Sequence, residues 1–98
     1  MKIVWSLLAI SDREAIFDYI ESDSPRAAAR IDDQIEAQVD QLATLPESGR
    51  PGRVAGTREL VFQQTPYLAA YQIEGDTVRV LRVLHGVQQW PDEFEGRD

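Results

Sequence analysis

The hydrophobic repeat of this chain changes from a helical to a strand period across the nine residues LPESGRPGR (45–53). Two prolines and two glycines in that stretch interrupt any regular element. Before it, apolar residues recur every three or four positions, the spacing of a helix face; after it they recur every second position, the spacing of a strand. A chain that spends its first half on helices and its second on strands is restricted to an α+β layering, with helices packed on one sheet. At 98 residues it has material for one hydrophobic core, so a single domain, 1–98, is expected.

The helical half opens with a short strand, residues 2–6, that puts Ile3 and Trp5 on one face. A helix follows from about Ala9 to Glu21, with Leu8, Asp12, Ala15, Ile16, Tyr19 and Ile20 at spacings of three and four. Ser24-Pro25 marks the start of a second helix, since serine caps and proline fits the first helical position. That helix carries Ala28, Ile31, Ile35, Val39, Leu42 and Leu45 on one stripe and ends at Pro46. Only residues 22–24 separate the helices, which favours an antiparallel helical hairpin.

In the second half, 58–65 and 67–74 read as strands on either side of Pro66, which cannot donate to a ladder. Gly75-Asp76 turns the chain into a third strand, 77–85, giving an antiparallel meander. Strict alternation would place Val78, Val80, Arg82 and Leu84 on one face and Arg79, Leu81, Val83 and His85 on the other. Both sets are largely apolar, so this strand is expected in the interior of the sheet. The fold class is therefore α+β: an N-terminal helical hairpin on a small twisted antiparallel sheet.

The charge balance narrows the function classes. The net charge of −7 argues against general nucleic-acid binding and against direct sequence-specific DNA recognition by this chain alone. Residues 11–47 hold ten acids against three arginines, whereas 50–90 hold five arginines against three acids, so one part is acidic and another mildly basic. There are no cysteines, hence no disulfide, no thiolate metal site and no cysteine nucleophile. The apolar run at the N-terminus stops at Ile10, far short of the roughly 20 residues of a membrane span, and no small-residue cleavage site follows. A cytoplasmic protein without membrane attachment is expected.

The basic half offers Arg50, Arg53, Arg58, Arg79, Arg82, Tyr67, Tyr71 and the only histidine, His85. Histidine can move a proton near neutral pH, and arginine can hold phosphoryl oxygens as charge builds in a transition state. With RNA, the 2′-hydroxyl would itself be the nucleophile. Against that stands a structural role, since a lone histidine at a strand end commonly serves as a hydrogen-bonded packing group. Metal binding is not expected, because one histidine and no cysteine make no ligand cluster, and Asp32, Asp33, Glu36 and Asp40 read as a solvated helix face. Neither glycine-rich nucleotide-binding pattern is present, and no cofactor is expected. Arg26 and Arg30, on the opening turns of the second helix, are expected to pair locally with Asp23 and Asp33. The tail PDEFEGRD reads as a frayed end or a short docking helix around Phe94.

The order GTREL (56–60), PYLAAY (66–71) and VLRVLHGVQQWP (80–91), following a helical hairpin and LPESGRPG, resembles the RelE/ParE superfamily of bacterial type II toxins. The likeness runs from the Trp5 strand to Pro91. It implies two helices on a small antiparallel sheet, and a cognate antitoxin whose disordered segment folds over the toxin as an amphipathic stretch. The superfamily divides between ribosome-dependent mRNA endonucleases of the RelE kind and ParE-like members that poison DNA gyrase. By resemblance, Arg58 stands where many nucleases hold a phosphate, and His85 lies where catalytic groups gather, so an endonuclease would use Arg58, Arg82 and His85. This sequence departs from the nuclease pattern in carrying Gly86-Val87-Gln88-Gln89 where relatives carry arginine, and in having no lysine after Lys2. The ParE-like reading is therefore favoured: a non-enzymatic protein that binds DNA gyrase. Arg58, Tyr67, Tyr71, Arg79, Arg82, His85 and Trp90 are the partner-binding candidates. Oligomeric state, including self-association within a toxin–antitoxin complex, is left open.

Overall fold

The computed structural model describes residues 1–87 and residue 94. In chain order the elements are β1 (Lys2–Trp5), α1 (Leu7–Glu21), α2 (Pro25–Asp40), a 3-10 turn (Gln41–Ala43), β2 (Arg50–Pro51), β3 (Arg58–Val61), β4 (Tyr67–Glu74) and β5 (Thr77–His85).

Both helices begin on a serine. Ser6 Oγ accepts from the Ala9 N–H at 3.0 Å and Ser24 Oγ from the Ala27 N–H at 3.1 Å, each satisfying one amide that the first turn leaves without a partner. The Ser6 cap starts α1 two residues earlier than the apolar spacing suggests. Pro25 occupies the opening turn of α2 as expected. That helix tightens at Gln41, before Pro46, and leaves Leu45 60% exposed, outside the predicted stripe.

The sheet has the order β1-β5-β4-β3-β2. β2 to β5 are antiparallel, as expected of a meander, while β1 lies parallel to β5, with Ile3 opposite Val78 and Trp5 opposite Val80. The sheet is thus mixed. The helical hairpin carries the chain across one face between β1 and the meander, and the last strand returns beside the first. β4 and β5 match their predicted limits. β3 stops at Val61, four residues early, because the chain reverses through Gln64, whose φ of 64° cannot continue a strand.

A bulge breaks the expected alternation of β5. Tyr71 pairs with Val80 and Ala70 with Arg82, so Leu81 is the extra residue. The phase shift brings Val83 into the same core cluster as Val80, where strict alternation would have sent them to opposite faces. Ala9, Ile35, Val39, Phe62, Tyr67 and Ala69 complete that cluster, and Leu42, Tyr71 and Val78 form a second one beside it. Leu68, Ala70, Leu81 and Leu84 are also buried, so the sheet is apolar through its thickness.

The predicted stripe of α1 divides in two. Ile16 and Ile20 pack on the core, together with Ala9, which the stripe did not include, but Leu8 and Tyr19 are 41% and 75% exposed, and Ala15 is exposed with them. Among the described residues no helix is long and apolar enough to cross a membrane.

Candidate functional site

The three residues that a nuclease would require reach the surface at separate places. Arg58 pairs with Tyr71 and His85 with Tyr67, on opposite sides of β4. Their backbones are therefore separated by roughly 13 Å along β4 and roughly 10 Å across it. Each is also engaged internally. Arg58 Nη1 donates to the carbonyls of Gly49 (2.7 Å) and Glu47 (3.3 Å), and its guanidinium lies 3.6 Å from the Glu47 carboxylate. It ties down the loop that links the helical and strand halves.

Arg82 emerges at the bulge and is held by Asp12 of α1. Its Nε and Nη2 donate to the two oxygens of that carboxylate at 2.8 and 3.0 Å. Asp12 Oδ2 also accepts the Val83 N–H at 2.9 Å. Hydrogen bonding to Asp12 stabilises the Arg82 cation and outweighs the burial that opposes it, so the guanidinium is pushed above its ordinary pKa. Beside this pin, Ser6 Oγ donates to the Leu81 carbonyl at 2.8 Å. β1 ends at Trp5, so the second half of β5 forms part of the sheet's rim. Ser6 and Asp12 fill backbone positions there that another strand would otherwise take.

His85 stands edge-on to Tyr67, with ring centroids 5.5 Å apart and planes at 83°. Its Nδ1 accepts the Val87 N–H at 3.2 Å. Tyr67 is 9% exposed; burial, with Tyr19 nearby, raises its pKa above the ordinary value. Tyr71 is fully buried. Its hydroxyl donates to the Pro46 carbonyl at 2.7 Å and accepts from the Gly49 N–H at 3.0 Å. Burial raises its pKa, against the Gly49 hydrogen bond and the Arg58 charge. Tyr71 therefore offers a partner no surface and serves as a post for the 46–49 loop. Arg79 pairs with Glu74 at 2.9 Å. Trp90 lies outside the described residues, as does the tail apart from the half-buried Phe94.

The central charge of the basic half is Glu59, which alternation on β3 did not single out. It is 2% exposed, and one carboxylate oxygen accepts from Arg50 Nε and Nη2 (3.2 and 2.9 Å). The other accepts from the Arg53 N–H and Nε (2.9 and 3.2 Å). Burial opposes its ionisation, yet the Arg53 amide and the two guanidinium groups prevail and hold the carboxyl below its ordinary 4.5. The arginines of the GRPGR loop are thus spent on folding the loop over the sheet. In the helical half, Arg13 stacks on Trp5 (4.7 Å) and pairs with Asp32 (2.9 Å). The expected local pairs of Arg26 and Arg30 with Asp23 and Asp33 do not form among the described residues; one turn into an exposed helix, water solvates these charges at less cost than ordering two long side chains.

Chemically, this arrangement presents dispersed, paired cations and a strand-end imidazole packed on a tyrosine. Among the described residues no group of three or more histidine, aspartate or glutamate side chains could hold a metal ion. A shallow groove between the helices, lined by Ile10, Arg13, Glu14, Phe17, Asp18 and Asp32, brings together no nucleophile and general base.

Comparison with known proteins agrees with this fold. A family profile described as the ParE toxin of the type II toxin–antitoxin system, parDE, matches residues 3–90. The toxin Y4kP of Sinorhizobium fredii is 49% identical over 90 residues, covering 92% of this chain and 93% of that protein. Toxin RelE2 of Caulobacter vibrioides is 37% identical over 87 residues, covering 89% and 97%. Among solved structures, a chain of the chromosomal ParDE toxin–antitoxin system from P. aeruginosa superposes with a TM-score of 0.78 at 30% identity, over 87% of this chain and 95% of that one. The toxin–antitoxin complex RelBE2 from Mycobacterium tuberculosis gives 0.58 at 25% identity, over 86% and 95%.

Proposed function

This chain belongs to the ParE toxin family of type II toxin–antitoxin systems, and from that membership we propose that it acts as a ParE-like toxin, binding DNA gyrase without cutting a substrate of its own and held in check by a cognate antitoxin. The observation that carries this reading is the state of Arg82. A nuclease needs its arginine free to meet charge developing on a phosphoryl group. Here Nε and Nη2, one edge of the guanidinium, both donate to Asp12, in a pair only 25% and 16% exposed. Replacing that carboxylate with a phosphate would also strip the Val83 amide of its acceptor. The separation of Arg58 from His85 supports the same conclusion, as does the closer superposition on the ParDE toxin chain than on the RelBE2 one. The complexes in which those relatives were solved support an antitoxin partner.

Toxicity of a His85→Ala variant in cells tests the proposal. With unfolding temperature near that of the parent, killing is expected to persist, since on this reading the imidazole packs on Tyr67 and accepts the Val87 N–H without cutting a substrate. Loss of killing by the folded variant would favour ribosome-dependent mRNA cleavage instead.

A further inference from the structure

The pairs that fold the 50–57 loop over the sheet also fix what that loop shows to solvent. Leu60 packs on the core beneath the helices, so its neighbour Glu59 points to the opposite face of the sheet. There one carboxylate oxygen holds Arg50 and the other Arg53, which sets the two guanidinium groups side by side. Both remain open to solvent, 56% and 42% exposed, above an acid that is almost wholly buried. Arg50 engages Glu59 through Nε and Nη2, which leaves Nη1 outside the pair. The backbone that carries the two arginines is tied down as well. The Gly49 amide donates to the Tyr71 hydroxyl at 3.0 Å, the Gly52 amide to the Thr57 carbonyl at 2.8 Å, and Thr57 Oγ1 to the Val54 carbonyl at 2.7 Å. With Arg58, three arginines stand against one acid over residues 50–59, in a chain whose net charge is −7.

We propose that Arg50 and Arg53, mounted on Glu59, form a clamp for a carboxylate-rich segment of the protein that this toxin inhibits. The inference rests on the gyrase reading above and names the chemistry by which the target is held. A buried acid with two guanidinium partners returns little stability beyond the cost of burying its charge. What the arrangement gains is orientation: two planar forks are set before a partner arrives, so less side-chain entropy is lost on binding. Paired guanidinium groups match a carboxylate or a phosphate, and the rest of the molecule chooses between them. A nucleic acid is a continuous polyanion, which would meet the ten acids of residues 11–47 as well as the clamp. A short acidic segment of a protein reaches the arginines without that repulsion. An amphipathic antitoxin stretch needs apolar surface to cover, and among the described residues no large apolar side chain within 48–59 is exposed. The clamp therefore suits a target recognised through charge.

The test uses the full toxin chain, with affinity for purified gyrase and for the antitoxin encoded in the adjacent reading frame measured by calorimetry at several salt concentrations. Arg50→Gln with Arg53→Gln is expected to weaken gyrase binding by at least about tenfold and to flatten its salt dependence, with antitoxin affinity unchanged. Arg26→Gln with Arg30→Gln, which alters the net charge equally on the exposed side of α2, is the control and is expected to bind gyrase like the parent. Equal unfolding temperatures confirm the fold. Should the glutamine variant unfold, Arg50→Lys, which keeps a cation against Glu59 and loses the planar fork, replaces it and is expected to weaken gyrase binding by about threefold or more. Parental gyrase affinity in the folded variant, or a loss that falls on antitoxin binding, would overturn the clamp while leaving the gyrase reading intact. A single-stranded oligonucleotide that binds the parent chain and not the variant would assign the clamp to phosphate and overturn it too. A parent chain that does not bind gyrase would overturn that reading, and the clamp with it.

Discussion

At the scale of single residues, the charges that matter most are those folded inward. Glu59 is almost wholly buried and receives four hydrogen bonds, all from Arg50 and Arg53. Glu59→Gln keeps the shape and removes the charge. It is expected to cost about 1–3 kcal/mol at neutral pH by urea denaturation; the cost is moderated because both arginines are about half exposed and recover hydration. Because the folded carboxyl titrates below its ordinary 4.5, its stabilisation is complete above that value and is lost as the pH falls through the lower folded one. The gap in stability between parent and Glu59→Gln should therefore close in acid, and a gap that widened would refute the assignment. Tyr71→Phe should likewise cost about 1–2 kcal/mol, because the Gly49 amide and the Pro46 carbonyl both lose their partner. Neither role could be read from the chain alone. GTREL drew attention to Arg58 rather than its neighbour Glu59, and a tyrosine in a strand does not announce which loop its hydroxyl will hold. The link from Asp12 to Arg82 spans 70 positions, and the apolar periodicity that located both elements says nothing about which acid meets which base.

Between elements, the join that organises the molecule lies where α1 crosses β5. Ser6 caps α1 through the Ala9 amide and simultaneously donates to Leu81 at the bulge, so one buried hydroxyl registers helix against strand. Ser6→Ala is expected to lower stability by about 1–2 kcal/mol, the usual cost of a lost cap, and differential scanning calorimetry would show it as a drop in unfolding temperature. An unchanged transition would mean that the bulge is held by other contacts. The elements themselves were the most legible part of the sequence. Strand limits at 67–74 and 77–85 follow from the Gly75-Asp76 turn and period-two spacing, and α2 from Ser24-Pro25 and a clean apolar stripe. Alternation failed across Leu81, because one extra residue inverts the faces beyond it, and nothing local in VRVLRVLH marks where the insertion falls. The parallel pairing of β1 was hidden for a related reason, since strand order depends on how the intervening hairpin packs.

Taken whole, the molecule divides its charge between an acidic helical layer and a sheet whose described arginines pair with carboxylates of the sheet, the neighbouring loop and α1. On the proposed gyrase reading such a molecule would not grip ribosomal RNA, where phosphate neutralisation by free cations supplies most of the affinity. It suits protein recognition, in which shape and a few anchors dominate. The most direct test of this view is a gyrase supercoiling reaction with the purified chain, run beside translating ribosomes programmed with a defined mRNA. Supercoiling is expected to fall in proportion to added toxin, with recovery on adding the antitoxin, while the mRNA stays whole. Undiminished supercoiling together with cleavage of the mRNA in the ribosomal A site would contradict it.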